Sequence, residues 1–401
     1  MSATPREPAA RAERRYLIAT AVNIFGTGVQ GIAVPWLLLE LTGTAAAVGV
    51  LLILRALPAI LLSSWAGALC DAGSRRRIAI ASSAAQGAAT LAAAAVFAAG
   101  YRGVGVLYAL TLVVGTGNTF FGPATRAYMQ LAVGPTGYQR FNSLTETATM
   151  VGLIAGTAVG GPLLGAAGVA AALAIDGATF LWAAAAFVRM REIPPTADAP
   201  RRAGFAAQRD GLRYIAAHHA LALATALALL PVLCIQVDNV LVSAYVREVL
   251  GLGADVFSEV NAAYAVGAAL VGAVLSRAGR HLDGAAALAI GLACLGAAHA
   301  GFGASHTAGL AIGAMFAIGV TLVGARATLA TRIMEHSEPA FAGRVQAAQQ
   351  LLAGLVTIAL GVAVGGVAEA VGYRPVFLAV AALCGLGALG VGALARVHRR
   401  I

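Results

Sequence analysis

The sequence predicts an all-α membrane protein with twelve transmembrane helices in two six-helix halves. Hydrophobic residues fill 60% of the 401 positions and charged residues only 11%, which is unlike the balance of a soluble domain. Apolar runs of about 20 residues, the length that crosses a bilayer, recur along the whole chain. In addition, Gly156 and Gly160 of the first half recur as Gly361 and Gly365, 205 positions later.

The apolar runs predict the spans in order. The run after residue 15 is longer than a signal-peptide core and lacks a cleavage site, so we expect it to remain as the first span. The twelve predicted spans are residues 16–39, 46–69, 78–99, 104–122, 144–166, 169–190, 219–246, 257–276, 285–303, 307–330, 346–369 and 374–395.

The basic residues predict the orientation of these spans. All 27 are arginines, and the net charge is +10. Twenty-three lie on the side that holds the N-terminus, against three on the other, which are Arg102, Arg247 and Arg374. Because cytoplasmic loops of membrane proteins are enriched in Lys and Arg, we expect both termini in the cytoplasm, with the chain in the plasma (inner) membrane. The same clustering argues against a nucleic-acid-binding surface.

The polar segment 191–217 predicts the division into domains. It separates an N-terminal half, 1–190, from a C-terminal half, 218–401, and we expect it to be cytoplasmic. Its last part, residues 206–217, has the composition of a helix lying at the membrane surface. The segment is too short for a nucleotide-hydrolysing domain, and without lysine the chain has no phosphate-binding Gly-Lys loop.

The glycines of the fifth predicted span lie on one helical face. Gly152, Gly156 and Gly160 are four residues apart, and Gly161 follows. Helices in lipid associate through close backbone contact at small residues, so this face predicts a helix–helix contact. One such ladder indicates no more than ordinary packing. Its return in register, at Gly361 and Gly365, favours two repeated halves.

The loop after the second span resembles the gating motif of the major facilitator superfamily, Gly-x-x-x-Asp-Arg-x-Gly-Arg-Arg-Arg. Gly67, Asp71 and the arginines Arg75, Arg76 and Arg77 match the motif, whereas Ala72 and Ser74 replace an arginine and a glycine. The resemblance implies a secondary transporter in which Asp71 and these arginines form a cytoplasmic gate. In the second half, Ser276 stands where the gating aspartate would be.

Two further motifs narrow the resemblance. Gly152 to Gly161 is similar to the antiporter motif Gly-x-x-x-Gly-Pro-x-x-Gly-Gly, with Thr157 in place of proline. Gly122-Pro-Ala-Thr-Arg126 and Arg140-Phe-Asn142-Ser143-Leu resemble the branch of enterobactin-type and macrolide-type exporters, which are drug:proton antiporter-like. The fourth span lacks the arginine of many proton-coupled drug antiporters, which puts that route of proton coupling in doubt.

Ionisable residues within the spans are costly in lipid and are candidates for function. Arg55 lies near the midplane of span two and either pairs inside a cavity or extends to the surface. No acid lies one turn from it, so a carboxylate partner must come from another helix, with Asp238 as the first candidate. Asp238 and Asn239 lie beyond Pro231 in span seven, as cavity residues or as a helix cap. For Asp176 we expect structural pairing.

Three amides complete the predicted substrate pathway. Asn23 and Gln30 are seven residues apart on one face of span one, where they line the pathway or bond a neighbouring helix. Asn118 lies near the end of span four. The cysteines and histidines show no ligand spacing, so we expect no metal site and no cofactor.

These features together predict a secondary active transporter. It would export a small amphipathic or hydrophobic compound, such as a drug, siderophore or secondary metabolite, by alternating access and ion-coupled antiport. The expected partners are a small-molecule substrate and the lipid bilayer, with protons as the candidate coupling ion; we expect no nucleic acid and a monomer. The alternatives are a membrane enzyme, for which the spans offer no catalytic constellation, and a transport-inactive partner or sensor with the same fold.

Overall fold

The computed structural model describes residues 6–133, 137–193, 204–278, 285–338 and 341–398. Within these ranges the side chains of some residues, Asp71 and Ser276 among them, lie outside the description. The described residues form helices and short turns, with no β-strand among them. The all-α fold is therefore confirmed.

The helices follow the predicted spans. They are α1 (Arg6–Thr42), α2 (Ala45–Ala72), α3 (Arg75–Ala98), α4 (Val104–Val133), α5 (Tyr138–Val188), α6 (Gly204–Ala217), α7 (His219–Ala244), α8 (Ala254–Ala278), α9 (Ala285–Gly303), α10 (Ala308–Glu335), α11 (Ala342–Val371) and α12 (Tyr373–His398). A short π-helical turn, Tyr245–Val249, follows α7.

Ten helical stretches of the described residues are long and apolar enough to cross a membrane. One is α5, which breaks at Gly168, where the backbone turns to φ 75° and ψ 178°. The break separates a first arm, which matches predicted span five, from a second arm, which matches span six. The ten do not include α8, whose first turns carry Asp255 and Glu259. With α5 taken as two spans and α8 added, the helices correspond to the twelve predicted spans.

The chain forms two compact units. Unit one comprises Met1–Leu41 and Leu54–Gly204, and unit two comprises Thr42–Ile53 and Phe205–Ile401. The start of α2 therefore belongs to unit two, a feature that the sequence did not indicate. The division at 191–217 stays a prediction, and residues 194–203 of that segment lie outside the described residues. Its last part does form a helix, α6.

Glycines in the left-handed region make the same turns in both halves. Gly43 (φ 67°) follows α1 and Gly251 (φ 68°) follows α7. Gly168 (φ 75°) ends the first arm of α5, and Gly372 (φ 93°) ends α11. An L-residue with a side chain rarely adopts this conformation, so glycine is needed at each turn. The repeat seen in the glycine ladders thus extends to the backbone of the turns.

Candidate functional site

Asp176 is buried inside unit one. It lies on the second arm of α5 and is 0% exposed. Neither carboxylate oxygen has a hydrogen-bond partner among the described residues. Gly26 of α1 lies directly against it, because a Cβ at Gly26 would come within 2.8 Å of Asp176 Oδ1 and would collide with Thr179 Oγ1. A carboxylate without partners in this position needs a nearby positive charge or a proton.

Arg55 supplies the positive charge in the same unit. It lies in the middle of α2, its side chain is exposed, and its charge interacts with that of Asp176. Among the ion pairs of the described residues none joins these two side chains, so their charges interact over a longer distance. Gly115 of α4 lies against the Arg55 backbone, since a Cβ there would be 2.8 Å from the Arg55 carbonyl oxygen. Unit one therefore positions this charge by close backbone packing.

The predicted amides of unit one have different surroundings. Asn23 is 9% exposed and its Oδ1 has no hydrogen-bond partner among the described residues. Gln30 is half-buried. Its Nε2 atom is buried and also lacks a hydrogen-bond partner among the residues that the structure describes. Asn118 is exposed. Asn23 and Gln30 thus keep hydrogen-bonding capacity that a bound molecule or water could use.

Asp238 faces a histidine that the sequence analysis did not select. In unit two, His299 of α9 places its Nε2 atom 3.5 Å from Asp238 Oδ1 of α7. His299 is 0% exposed and Asp238 is 8% exposed. The available signal was His299 itself, a histidine in an otherwise apolar span. Arg55 and Asp238, the pair first considered, therefore each find an ionisable partner in their own unit.

Three ionisable side chains lie near this pair. Tyr264 of α8 interacts electrostatically with Asp238, and also with Arg326 of α10. Cys234 of α7 and Cys384 of α12 lie within the electrostatic reach of Asp238, and their sulfur atoms are 3.6 Å apart. Helices α7, α8 and α12 thus contribute to this site together with α9. Asn239, the neighbouring predicted pathway residue, is exposed.

The predicted gating arginines lie at the start of α3 and differ in their contacts. Arg75 is buried, and its Nε and Nη1 atoms have no hydrogen-bond partner among the described residues. Arg76 donates to the carbonyl oxygens of Phe187 and Val188 at the end of α5, whereas the Arg77 side chain is exposed. A Cβ atom added at Gly67 would have no other heavy atom within 4 Å. The side chain of Asp71 lies outside the described residues.

Glu192 joins the same region of unit one. Its carboxylate accepts hydrogen bonds from Ser74 and from Arg76 Nη1, the latter at 3.3 Å. The Ser74 hydroxyl first, and Arg76 second, lower the pKa of Glu192 below its ordinary value. The backbone beside Glu192 is also held, since Tyr128 donates to the Arg191 carbonyl at 2.7 Å and Arg15 to the Arg189 carbonyl at 2.6 Å. These contacts fix the end of α5 to α1, α3 and α4.

The glycine ladder of α5 packs against α1. A Cβ at Gly152 would collide with the Ala21 carbonyl oxygen, and one at Gly156 would collide with that of Phe25. At Gly160 it would lie 2.9 Å from the Ile32 side chain. Gly161 is buried. The predicted face therefore meets a neighbouring helix along its whole length.

The second ladder meets a different partner. Gly361 lies against α2, since a Cβ there would be 2.9 Å from the Gly49 carbonyl oxygen, and at Gly365 it would lie 2.5 Å from the Ala46 Cα. Glu369 Oε1 accepts a hydrogen bond of 3.0 Å from the Ala46 amide in the first turn of α2. This amide has no partner within its own helix, and a carboxylate there is favoured. These contacts explain why Thr42–Ile53 groups with unit two.

The fold and the buried charges define a class of protein, a multi-span membrane protein built from two helical units. Both units carry ionisable side chains inside apolar helices. Within the described residues, no three or more His, Cys, Asp or Glu side chains are grouped so as to hold a metal ion. The profile of the Major Facilitator Superfamily matches residues 16–361. The chain belongs to this superfamily.

Known proteins agree with this assignment. The multidrug efflux pump Tap of Mycobacterium tuberculosis H37Rv is 30% identical over 158 residues, and the match covers 38% of this chain and 38% of Tap. The Tap protein of Mycobacterium bovis matches to the same extent. This chain thus spans less than half the length of the curated relatives that it matches.

Solved structures share the fold. The nucleoside transporter NupG has a TM-score of 0.76 at 13% identity, over 95% of this chain and 98% of NupG. A bacterial homologue of the human lysosomal transporter Spinster has a TM-score of 0.72 at 14% identity, over 98% of both chains. These similarities show that the chain shares the fold of the solved transporters.

Proposed function

We propose that this protein is a secondary active exporter that moves a small amphipathic or hydrophobic compound by alternating access, coupled to ion antiport. The observation that carries the proposal is Asp176, which is fully buried in a membrane-spanning helix and within the electrostatic reach of Arg55. Charges at this depth are costly and mark transport pathways or ion sites. Substrate would contact the pathway residues Asn23, Gln30, Arg55, Asn118, Asp238 and Asn239.

The direction and the substrate class rest on similarity. Tap is a multidrug efflux pump, and the glycine ladder of α5 resembles the antiporter motif. Both support export over import. An amphipathic substrate also suits the chain, because the pathway residues are a few polar groups on otherwise apolar helices.

The location of the protein follows from its arginines. The side that carries twenty-three arginines would face the cytoplasm, with both termini, in the plasma membrane. Arg75, Arg76, Arg77 and Asp71 would then form the cytoplasmic gate, with Gly67 beside them. The partners would be the substrate, the bilayer and protons as coupling ion. We propose a monomer without nucleic-acid binding.

Efflux from loaded cells tests the proposal. A host that lacks its own drug pumps is loaded with ethidium as the probe and then given an energy source. Cells that express the protein should lose the dye faster than cells with an empty vector, and a protonophore should remove the difference. A panel of further cationic and neutral dyes widens the test.

The negative control is Gly156→Leu. Its leucine side chain should disrupt the contact between α5 and α1, and the variant should lose transport. Its membrane level is compared with that of the wild type by quantitative blotting, so that lost activity can be separated from lost protein. No energised efflux of any dye by the wild type would contradict export and would favour a transport-inactive partner or sensor.

A further inference from the structure

His299 is held in one tautomer by the backbone of its own helix. Its Nδ1 atom lies 2.8 Å from the Leu295 carbonyl oxygen, one turn earlier in α9. A carbonyl oxygen only accepts hydrogen bonds, so Nδ1 must carry the hydrogen. In a neutral ring this leaves Nε2 without a hydrogen, as an acceptor.

Nε2 then faces a second acceptor. Asp238 Oδ1 is 3.5 Å away, and an ionised carboxylate has no hydrogen to donate. Neither Asp238 oxygen has another hydrogen-bond partner among the described residues, and neither does Nε2. Two buried acceptors turned towards each other repel, which is costly where water cannot separate them. One additional proton removes the conflict, on Nε2 or on the carboxyl group.

We propose that Asp238 and His299 form a proton-binding site that holds one proton between Asp238 Oδ1 and His299 Nε2. With this proton the pair has no net charge, as imidazolium and carboxylate or as imidazole and carboxylic acid. When the proton leaves to water, a Nδ1–H imidazole and a carboxylate remain, with a net charge of minus one. Its role in transport rests on the function proposed above.

The two members of the pair lie at different depths in their helices. His299 is four residues from the end of α9, about 6 Å at 1.5 Å per residue, whereas the helical stretch that carries Asp238 continues through the π-helical turn to Val249, eleven residues further. His299 has no exposed surface, and both carboxylate oxygens of Asp238 are buried. Exchange of the proton with water therefore requires a change of conformation that opens the site.

Burial couples the proton to conformation. A net negative pair is unfavourable while it is closed off from water, so the closed site keeps its proton. Release becomes favourable when the protein opens and water reaches Asp238. The charged state of the pair and the open conformation thus favour each other, which is the requirement for ion-coupled transport.

The neighbouring groups do not remove the need for this proton. Cys234, Cys384 and Tyr264 carry no charge in their protonated forms, and the cation Arg326 of α10 interacts with Tyr264. Gln236, which lies two residues before Asp238, is engaged with Thr357 at 2.6 Å.

Magnetic resonance of labelled protein in nanodiscs counts the proton directly. Ring-¹⁵N histidine and carboxyl-¹³C aspartate report the protonation of His299 and Asp238, and His299→Gln and Asp238→Asn assign the signals. Near neutral pH we expect one proton shared by the pair. An ionised Asp238 beside an unprotonated Nε2 would overturn the proposal.

A histidine elsewhere in unit two is the internal control. His336 has its Nδ1 atom 2.7 Å from the Arg332 carbonyl oxygen, as His299 has with Leu295, and no carboxylate within ion-pair distance among the described residues. Asp238→Asn should change the His299 signal and leave that of His336 unchanged. If the single variants do not fold, a chain in which His299 is the only histidine gives the assignment in a wild-type site.

Transport in liposomes tests the coupling role. We expect Asp238→Asn and His299→Gln to lose ethidium accumulation driven by a pH gradient by about tenfold, because the exchangeable proton is gone. Exchange of labelled for unlabelled ethidium without a gradient should remain in His299→Gln, and His336→Gln should match the wild type in both assays.

The two proposals fail in different ways. Full gradient-driven accumulation in Asp238→Asn would overturn the proton-carrier role while export stands. A wild-type protein that moves no ethidium in either assay would contradict the proposed function, whereas the magnetic resonance count would still decide the proton site.

Discussion

Gly156 of α5 and Gly28 of α1 lie against each other at the contact between these two helices of unit one. A Cβ at Gly156 would lie 3.1 Å from the Gly28 Cα, and a Cβ at Gly28 would lie 3.0 Å from the Gly156 Cα. A side chain at either position would therefore press on the backbone of the other helix. Because lipid offers little hydrophobic driving force between helices, such backbone contacts supply much of the packing energy.

Gly156→Leu is expected to destabilise unit one by about 1–3 kcal/mol or more, because the side chain has to displace the α1 backbone. The matched control is Gly165→Leu on the same arm of α5, where the structure shows open space at the Cβ position. Thermal unfolding in detergent, followed by the fluorescence of a thiol-reactive dye, measures both. Equal melting temperatures for the two variants would contradict the contact.

Gly365→Val is expected to push the start of α2 away from α11 and to break the hydrogen bond between Ala46 and Glu369, at a cost of about 1–3 kcal/mol. Gly366→Val is the control, since the adjacent Gly366 has open space. Hydrogen exchange of the peptide that covers residues 42–53 should rise only in the first variant. Unchanged protection in Gly365→Val would show that this contact does not hold the segment.

Glu192 should give the stability of unit one a specific pH dependence. Its pKa in the folded protein is below the ordinary 4.5, so its hydrogen bonds stabilise the fold above about that pH and are lost as the pH falls through the folded value. The melting-temperature difference between wild type and Glu192→Gln should therefore be constant at neutral pH and shrink in acid. The effect should be small, because the Glu192 side chain is 39% exposed.

Arg76→Gln separates two contributions in the same region. It removes the bond to Glu192 and also the hydrogen bonds to the Phe187 and Val188 carbonyls, which do not titrate. Its loss of stability should exceed that of Glu192→Gln and should persist in acid. Loss that vanishes in acid together with that of Glu192→Gln would assign the whole role of Arg76 to the carboxylate.

Arg55→Ala should leave Asp176 without its counter-charge and lower stability, by less than the roughly 3–5 kcal/mol of a directly paired buried charge, because the two side chains form no direct ion pair. Asp176→Asn in the same chain should restore much of this loss. Thermal unfolding of the wild type, the two single variants and the double variant gives the coupling energy. A double variant whose loss equals the sum of the single losses would show that the two charges do not interact.

The local sequence determined the helices and the glycine-lined faces through which they contact other helices. A helix repeats every 3.6 residues whatever it packs against, so the spacing of Gly152, Gly156 and Gly160 was enough to predict a contact face. The paired turns at Gly168 and Gly372 need glycine for the same local reason, a positive φ. Motifs of this length also carried the resemblance to the superfamily.

Only the tertiary structure decided which residues meet. The same glycine spacing packs on α1 at Gly156 and on the start of α2 at Gly361, so the repeat in sequence is not a repeat in partner. Likewise, Asp238 lies against His299, 61 positions away on another helix. Contacts between helices depend on how all the helices of a unit pack together, and the spacing of residues along one helix carries no information about which neighbour its face will meet.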